Sequence, residues 1–265
     1  EYNTLEFVVK KNNSKNKNYD VTIDPGHGGM DGGGASGNYK ETDFTMDISK
    51  KVKSNLEKAG ITVKLTHDEG DIDKNHVMDE YNKGGRAVIP NEVKSKYTFS
   101  IHINKSGSSK VRGIELYTPS DINYDLAKDI VNNITSNTSL GYSSNRLYKK
   151  FDGIYTHNFT ESEVKSAIDG YDEKNYKHYN VTTKSNYLYM IRETGGFMTG
   201  AYVDSSNPDK VGVNPYYDSN IGNESYLLEL GYISNSTDVN TLKEEQDALA
   251  KAISDSIIKE INEKM

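Results

Sequence analysis

Val21, Thr22 and Ile23 form a short β-branched run that predicts a buried strand, with Asp24 and Pro25 expected to stop it. Beyond a glycine-rich loop, Phe44, Ile48, Val52 and Leu56 recur at steps of four, the spacing of one apolar helix face, and Gly60 ends that helix. Ile61 to Thr66 alternates as a strand. A polar loop, His67 to Lys74, leads to a helical segment around Met78 to Ala87, then to strands at Tyr97 to Ile103 and Gly113 to Tyr117. Leu126, Ile130 and Ile134 mark the next helix. Strand, helix, strand, helix, strand, strand, helix is the order of an α/β sheet covered by helices.

From Gly141 to Glu224 the pattern dissolves into Tyr, Asn, Asp, Lys and Gly, with short periodic pieces at Glu161 to Ile168 and a strand expected at Tyr187 to Ile191. Much of this reads as inserted loops, and loops this long inside a domain are usually functional, so they suit the wall of a substrate groove. The core resumes at Tyr226 to Leu230. Leu242, Leu249, Ile253, Ile257 and Ile261 then predict one closing helix. The expected architecture is a single α/β domain over residues 19–265, a twisted, mostly parallel or mixed sheet flanked by helices. Residues 1–18 precede it as a short strand, Leu5 to Val9, and a polar linker, Lys10 to Asn18.

Composition narrows the chemistry. With 265 residues the chain can bury a substantial core, although only 34% of it is hydrophobic. No apolar run approaches a membrane span. The 32 basic and 39 acidic side chains leave a net charge of -7, which disfavours a general nucleic-acid binder. There is no cysteine, which excludes thiol nucleophiles, disulfide scaffolds and Cys-ligated zinc, so any zinc site must use His and carboxylate. Absence of cysteine also fits work outside the cell. The chain begins with Glu1 and carries no signal peptide, as expected of a processed or trimmed form.

His27 leaves the first strand inside a loop of Gly26, Gly28 and Gly29, His102 lies on the strand Phe99-Ser100-Ile101-His102-Ile103-Asn104, and Glu41 opens the first helix. All three can meet at the carboxyl ends of neighbouring strands, where α/β sheets hold their sites. Two His and one carboxylate give zinc three ligands and leave a position open. Singly each has an ordinary alternative: a hydrogen-bonded histidine, or an acid at a helix start favoured by the dipole. Glu229 interrupts the apolar strand Tyr226 to Leu230. It either faces solvent by simple alternation, or is buried beside a metal as a general base. His67, His76, His157 and His178 lie in polar, loop-like sequence without matching partners. Gly26 to Gly34 fits neither the dinucleotide nor the phosphate-loop pattern.

At these residues the chain resembles the zinc-dependent N-acetylmuramoyl-L-alanine amidases, whose catalytic domain is α/β. Three motifs carry the likeness, in the family's order. They are Ile23-Asp24-Pro25-Gly26-His27-Gly28-Gly29 followed by Glu41, Phe99 to Asn104 followed by Gly113-Ile114-Glu115, and Glu229-Leu230-Gly231-Tyr232-Ile233-Ser234-Asn235. Weaker matches are Arg86 with Asn91, Asn145-Arg146, and Leu188-Tyr189-Met190-Ile191-Arg192. The resemblance implies that His27, Glu41 and His102 bind Zn2+, that Glu229 is the catalytic carboxylate, and that Arg192 lines the cleft and orients substrate or Glu229. It implies hydrolysis of the amide between N-acetylmuramic acid and L-alanine in peptidoglycan, in the cell wall outside the membrane, with a wall-binding domain or an activator as further partners. Residues around 150–185 and 193–223 exceed a minimal family domain and read as insertions. Two rival readings are a zinc peptidase acting within the stem peptide and a wall-binding module without catalysis.

Overall fold

Alternation along the central strands gives the sheet two unlike faces, and that difference organises the molecule. The computed structural model of the chain describes residues 18–29, 31–68, 84–169, 181–194 and 223–264. The strands are β1 (Val21–Pro25), β2 (Ala35–Ser36), β3 (Tyr39–Lys40), β4 (Val63–Leu65), β5 (Tyr97–Asn104), β6 (Ile114–Tyr117), β7 (Lys149–Phe151), β8 (Ile154–Tyr155) and β9 (Glu224–Tyr232). The helices are α1 (Thr42–Lys58), α2 (Ile89–Glu92), α3 (Asp125–Asn137), α4 (Glu161–Asp169), α5 (Tyr189–Thr194), α6 (Ser236–Glu244) and α7 (Gln246–Lys264).

Seven strands form one mixed sheet in the order β4-β1-β5-β9-β6-β8-β7. The four strands from β4 to β9 run parallel, and β6 pairs antiparallel with β9. Ile23, Phe99, Ile101, Leu116, Leu228 and Leu230 fill one face of the sheet. Ile48, Val52 and Leu56 of α1, Ile130 and Ile134 of α3, and Ile253 and Ile257 of α7 join them in one core. Each such side chain contributes about 1.5–3 kcal/mol on burial. The alternate residues point the other way. On that face lie Thr22, Asp24, Ser100, His102, Glu115, Tyr117 and Glu229, brought side by side by the pairings Asp24 with Ser100, His102 with Glu229, and Glu115 with Glu229. Leu227 interrupts this polar face and packs on Met190 and Ile191 of α5.

Several expectations need correction. Asp24 and Pro25 do not stop β1; both belong to it, because the Asp24 carboxylate is satisfied within the fold. Tyr187 to Ile191 is not a strand. Asn186 accepts from Leu188 N, Arg192 N bonds to Leu188 O, and Tyr189–Thr194 is helical. A short apolar run without alternation does not distinguish the two. The single closing helix is two helices. Asn235 caps α6 by accepting from Thr237 N and Asp238 N, and Glu245 breaks the helix at φ -121 with its carboxylate on Ser139. The stretch expected as loop after Lys150 contributes β7 and β8 to the sheet. The predicted strand at Leu5 to Val9 and most of Lys10 to Asn18 and of Met78 to Ala87 lie outside the described residues; from Gly84 the chain turns into α2.

Candidate active site

His27 follows β1 in a left-handed backbone conformation, φ 62, and its ring meets that of His102 edge-on at 4.9 Å. Its Nε2 lies 3.2 Å from Glu41 Oε2, and His102 Nδ1 lies 2.9 Å from Glu41 Oε1. One ligand atom from each of His27, Glu41 and His102 falls within 4.8 Å of the others. Ligand atoms on a tetrahedral zinc with bonds of about 2.0–2.1 Å lie roughly 3.3 Å apart, so the spacing and the donor types both fit that ion. The backbone keeps this space open. A Cβ on Gly26 would sit 2.6 Å from His102 Nδ1, and one on Gly33, at φ +66, would sit 2.6 Å from His27 Cδ2 and 2.7 Å from Glu41 Oε2.

Glu41 stands at the N-cap of α1, yet its side chain caps nothing there. Its carboxylate instead accepts from Gly34 N at 2.9 Å and Ile103 N at 2.8 Å, which aims it at the two histidines. Despite burial, the hydrogen bonds of His102 and His27 hold Glu41 far below the usual carboxylate range. Asp31, which sequence analysis passed over, takes the other nitrogen of His27: Oδ2 lies 2.7 Å from Nδ1, and Oδ1 accepts from Gly33 N at 3.0 Å. A carboxylate on the far nitrogen fixes tautomer and ring direction for a metal-binding histidine. Burial pushes the His27 pKa down, but Glu41 and Asp31 outweigh it and raise it to about 9. The signal was an acid four residues after a loop histidine.

Glu229 faces the same side of the sheet as its cross-strand neighbours His102 and Glu115. Its Oε2 is buried with no hydrogen-bond partner among the described residues. Burial first, then the charges of Glu41 and Glu115, push its pKa well above the usual range. Of the two alternatives read from sequence, neither holds in full: the side chain is half-buried on the site face, with one carboxylate oxygen, Oε2, fully enclosed. A cation at the neighbouring ligand group would meet the unpaired oxygen with opposite charge, a second observation that fits a metal.

Beneath His27, Arg86 makes paired bonds of 2.8 Å to both Asp24 oxygens, while Thr66 and Ser100 donate to the same carboxylate at 2.7 and 2.6 Å. This fully buried cluster ties β1, β4 and β5 together under the loop that carries His27. A cavity of about 240 Å³ opens beside His27, walled partly by Thr45, Met46 and His67. Arg192 is buried on α5, where Nη1 donates to Asn186 O and Tyr187 O at 2.9 Å each and Nε lies 3.3 Å from Glu193. None of these partners belongs to the His27 group. His157 is stacked between Tyr148 and Tyr187, whereas His76 and His178 lie outside the described residues.

Comparison with known proteins places this geometry. The sequence is 30% identical over 147 residues to the germination-specific N-acetylmuramoyl-L-alanine amidase of Bacillus subtilis, covering 51% of this chain and 59% of that one. It is 33% identical over 117 residues to a probable cell wall amidase, LytH, of Staphylococcus saprophyticus, covering 43% and 36%. The match thus spans less than two thirds of the length of these relatives. The fold is shared with the amidase AmiC2 of Nostoc punctiforme at a TM-score of 0.55 and 24% identity, covering 91% of this chain and 96% of that one. The profile of one family, described as N-acetylmuramoyl-L-alanine amidase, matches residues 21–259, and with nearly the whole domain aligned the chain belongs to that family.

Proposed function

We propose that this chain hydrolyses the amide between N-acetylmuramic acid and L-alanine in peptidoglycan, with Zn2+ held by His27, Glu41 and His102 and with Glu229 as the catalytic carboxylate. The observation that carries the reading is the unpaired, buried Glu229 oxygen on the same sheet face as a converging His, Glu, His donor set. A zinc ion bound there supplies Lewis-acid polarisation of the scissile carbonyl and acidifies the attacking water. The protein groups do the rest. His27 and His102 each offer one ring nitrogen to the group, Asp31 orients His27, and Glu41 turns its carboxylate inward on the Gly34 and Ile103 amides. Glu229 Oε2 takes the proton of the attacking water and delivers it to the leaving amide nitrogen. Its high proton affinity suits the delivery, and opposite charge at the ligand group lowers that affinity for the abstraction. Arg192 enters through the wall it holds, fastening the backbone at Asn186 and Tyr187.

Such an enzyme acts in the cell wall, outside the membrane, and a separate wall-binding domain or an activator brings it to its substrate. Among the described residues no helix is long and apolar enough to cross a membrane. The test is mass spectrometry of purified peptidoglycan incubated with the protein, with and without a zinc chelator. Free stem peptides beginning at L-alanine, lost with chelator and restored by zinc, are expected. Cleavage inside the stem peptide would make the enzyme a peptidase, and intact peptidoglycan with zinc bound would leave a binding module.

A further inference from the structure

Glu115 lies directly across from Glu229 in the β6–β9 pair and is completely buried. Its carboxylate accepts from four neutral donors. Oε1 takes the Ser143 hydroxyl at 2.7 Å and the Tyr232 phenol; Oε2 takes the Tyr117 phenol at 2.8 Å and the Asn104 amide at 3.3 Å. Four donors fill the lone-pair positions of an ionised carboxylate. Burying such a group is costly, and a core that needed only packing would be served by an apolar residue here.

The partners show what the charge accomplishes. His102 pairs with Glu229 but Asn104 pairs with Tyr232, so two residues of β5 stand against three of β9 and the ladder bulges immediately after Glu229. Gly231, at φ +88, makes the bulge possible. A strict alternation would place Tyr232 on the opposite face from Glu229; the bulge returns it to the site face, where its phenol reaches Glu115. Asn104 and Tyr232, the pair on the far side of the bulge, are thus both fastened to Glu115, while Tyr117, paired with Leu227 before the bulge, fastens it to the near side and Ser143 holds it from beside β6.

We propose that Glu115 is a positioning residue for the reaction: a buried carboxylate that clasps both sides of the bulge after Glu229 and so fixes where the Glu229 carboxylate points. The proposal rests on the reading of Glu229 as the catalytic carboxylate. Small misplacements of a reacting group cost up to about 100-fold in rate, so a loosened bulge lowers kcat without emptying the ligand set.

The experiment compares Glu115→Gln, Glu229→Gln and the double variant, all zinc-loaded, for kcat and KM on purified peptidoglycan, zinc stoichiometry by elemental analysis, and Tm. Glu115→Gln keeps the shape but removes two acceptor positions. It is expected to bind zinc stoichiometrically, to keep KM within about twofold, and to lose about 10- to 100-fold in kcat. Because Glu115 acts through Glu229, the double variant is expected to turn over no more slowly than Glu229→Gln alone. Tyr232→Phe, which removes a single donor, shows a smaller fall in the same direction and carries the test if Glu115→Gln does not fold. Wild-type kcat in both Glu115→Gln and Tyr232→Phe, or losses that multiply in the double variant, overturn the proposal. If Glu229→Gln is inactive and Glu115→Gln keeps wild-type kcat, the positioning role alone fails. If Glu229→Gln retains turnover, the assignment of Glu229 fails and this proposal with it.

Discussion

The two faces of the sheet are built from the same strands and do opposite work. On β5, Phe99, Ile101 and Ile103 enter the helix-covered core, while Ser100, His102 and Asn104 enter the site. On β9, Leu228 and Leu230 pack against helices while Glu229 between them faces His102 and Glu115. Stability is generated on one side of a plane and spent on the other, where a charged residue occupies a strand position that would otherwise bury a hydrophobe. Rigidity is what passes between the faces. A proposed ligand such as His102, on a central strand flanked by β1 and β9, is held by a strand with ladder hydrogen bonds on both sides and by a packed core beneath.

That contrast breaks first at the proposed metal ligands. His102→Ala is expected to leave a folded protein that binds no zinc at micromolar concentration and loses about 1000-fold or more in turnover, the rate equivalent of several kcal/mol of charge stabilisation. Elemental analysis and peptide release read the two effects separately; full zinc occupancy in the variant would remove His102 from the ligand set. Ile253→Ala, on the opposite face, should do the converse, costing about 2–5 kcal/mol in urea unfolding with zinc binding intact. Arg86→Met sharpens the boundary, because it sits on the site face yet serves the fold. It strips the guanidinium from the Asp24 carboxylate in a dry environment and should destabilise by about 3–5 kcal/mol. A Tm unchanged by Arg86→Met would mean that the Thr66 and Ser100 hydroxyls suffice for Asp24.

Legibility divided along the same plane. The apolar face was readable because its residues repeat: the steps of four in Phe44 to Leu56 and in Leu249 to Ile261 report α1 and α7 directly. The candidate metal group was readable because His27, Glu41 and His102 each adjoin a strand or helix end and their chemistry is shared. What stayed hidden depends on contacts distant in sequence. Asp24 looked like a strand terminator because its partner Arg86 lies 62 residues away. Glu115 was visible as part of a motif but had no role until β6 and β9 were paired. Tyr187 to Ile191 was misread because tertiary packing of Met190 and Ile191 on Leu227, not local pattern, selects the helix.

Asp31 offers the finest division, since its carboxylate stands behind His27 and the Gly33 amide rather than within the His27, Glu41 and His102 group. Asp31→Asn should weaken zinc binding about 10- to 100-fold near neutral pH or above, the usual cost of losing a carboxylate behind a metal-bound histidine. Competition against a chromophoric chelator measures this without any substrate. The pH dependence tests the cause. Glu41 and Asp31 raise the His27 pKa from 6.5 to about 9, so at lower pH a zinc ion must displace a proton before it can take Nε2. Apparent affinity in the wild type should therefore rise by about tenfold per pH unit from pH 6 and flatten as pH approaches 9. In Asp31→Asn the imidazole gives up its proton more easily, so its curve flattens earlier. Orientation is lost at every pH, but competition from the proton is relieved only at low pH. The gap between the two proteins should be smallest at pH 6 and widest near pH 9. A gap that stays constant across this range would show that Asp31 aims the ring without tuning its charge.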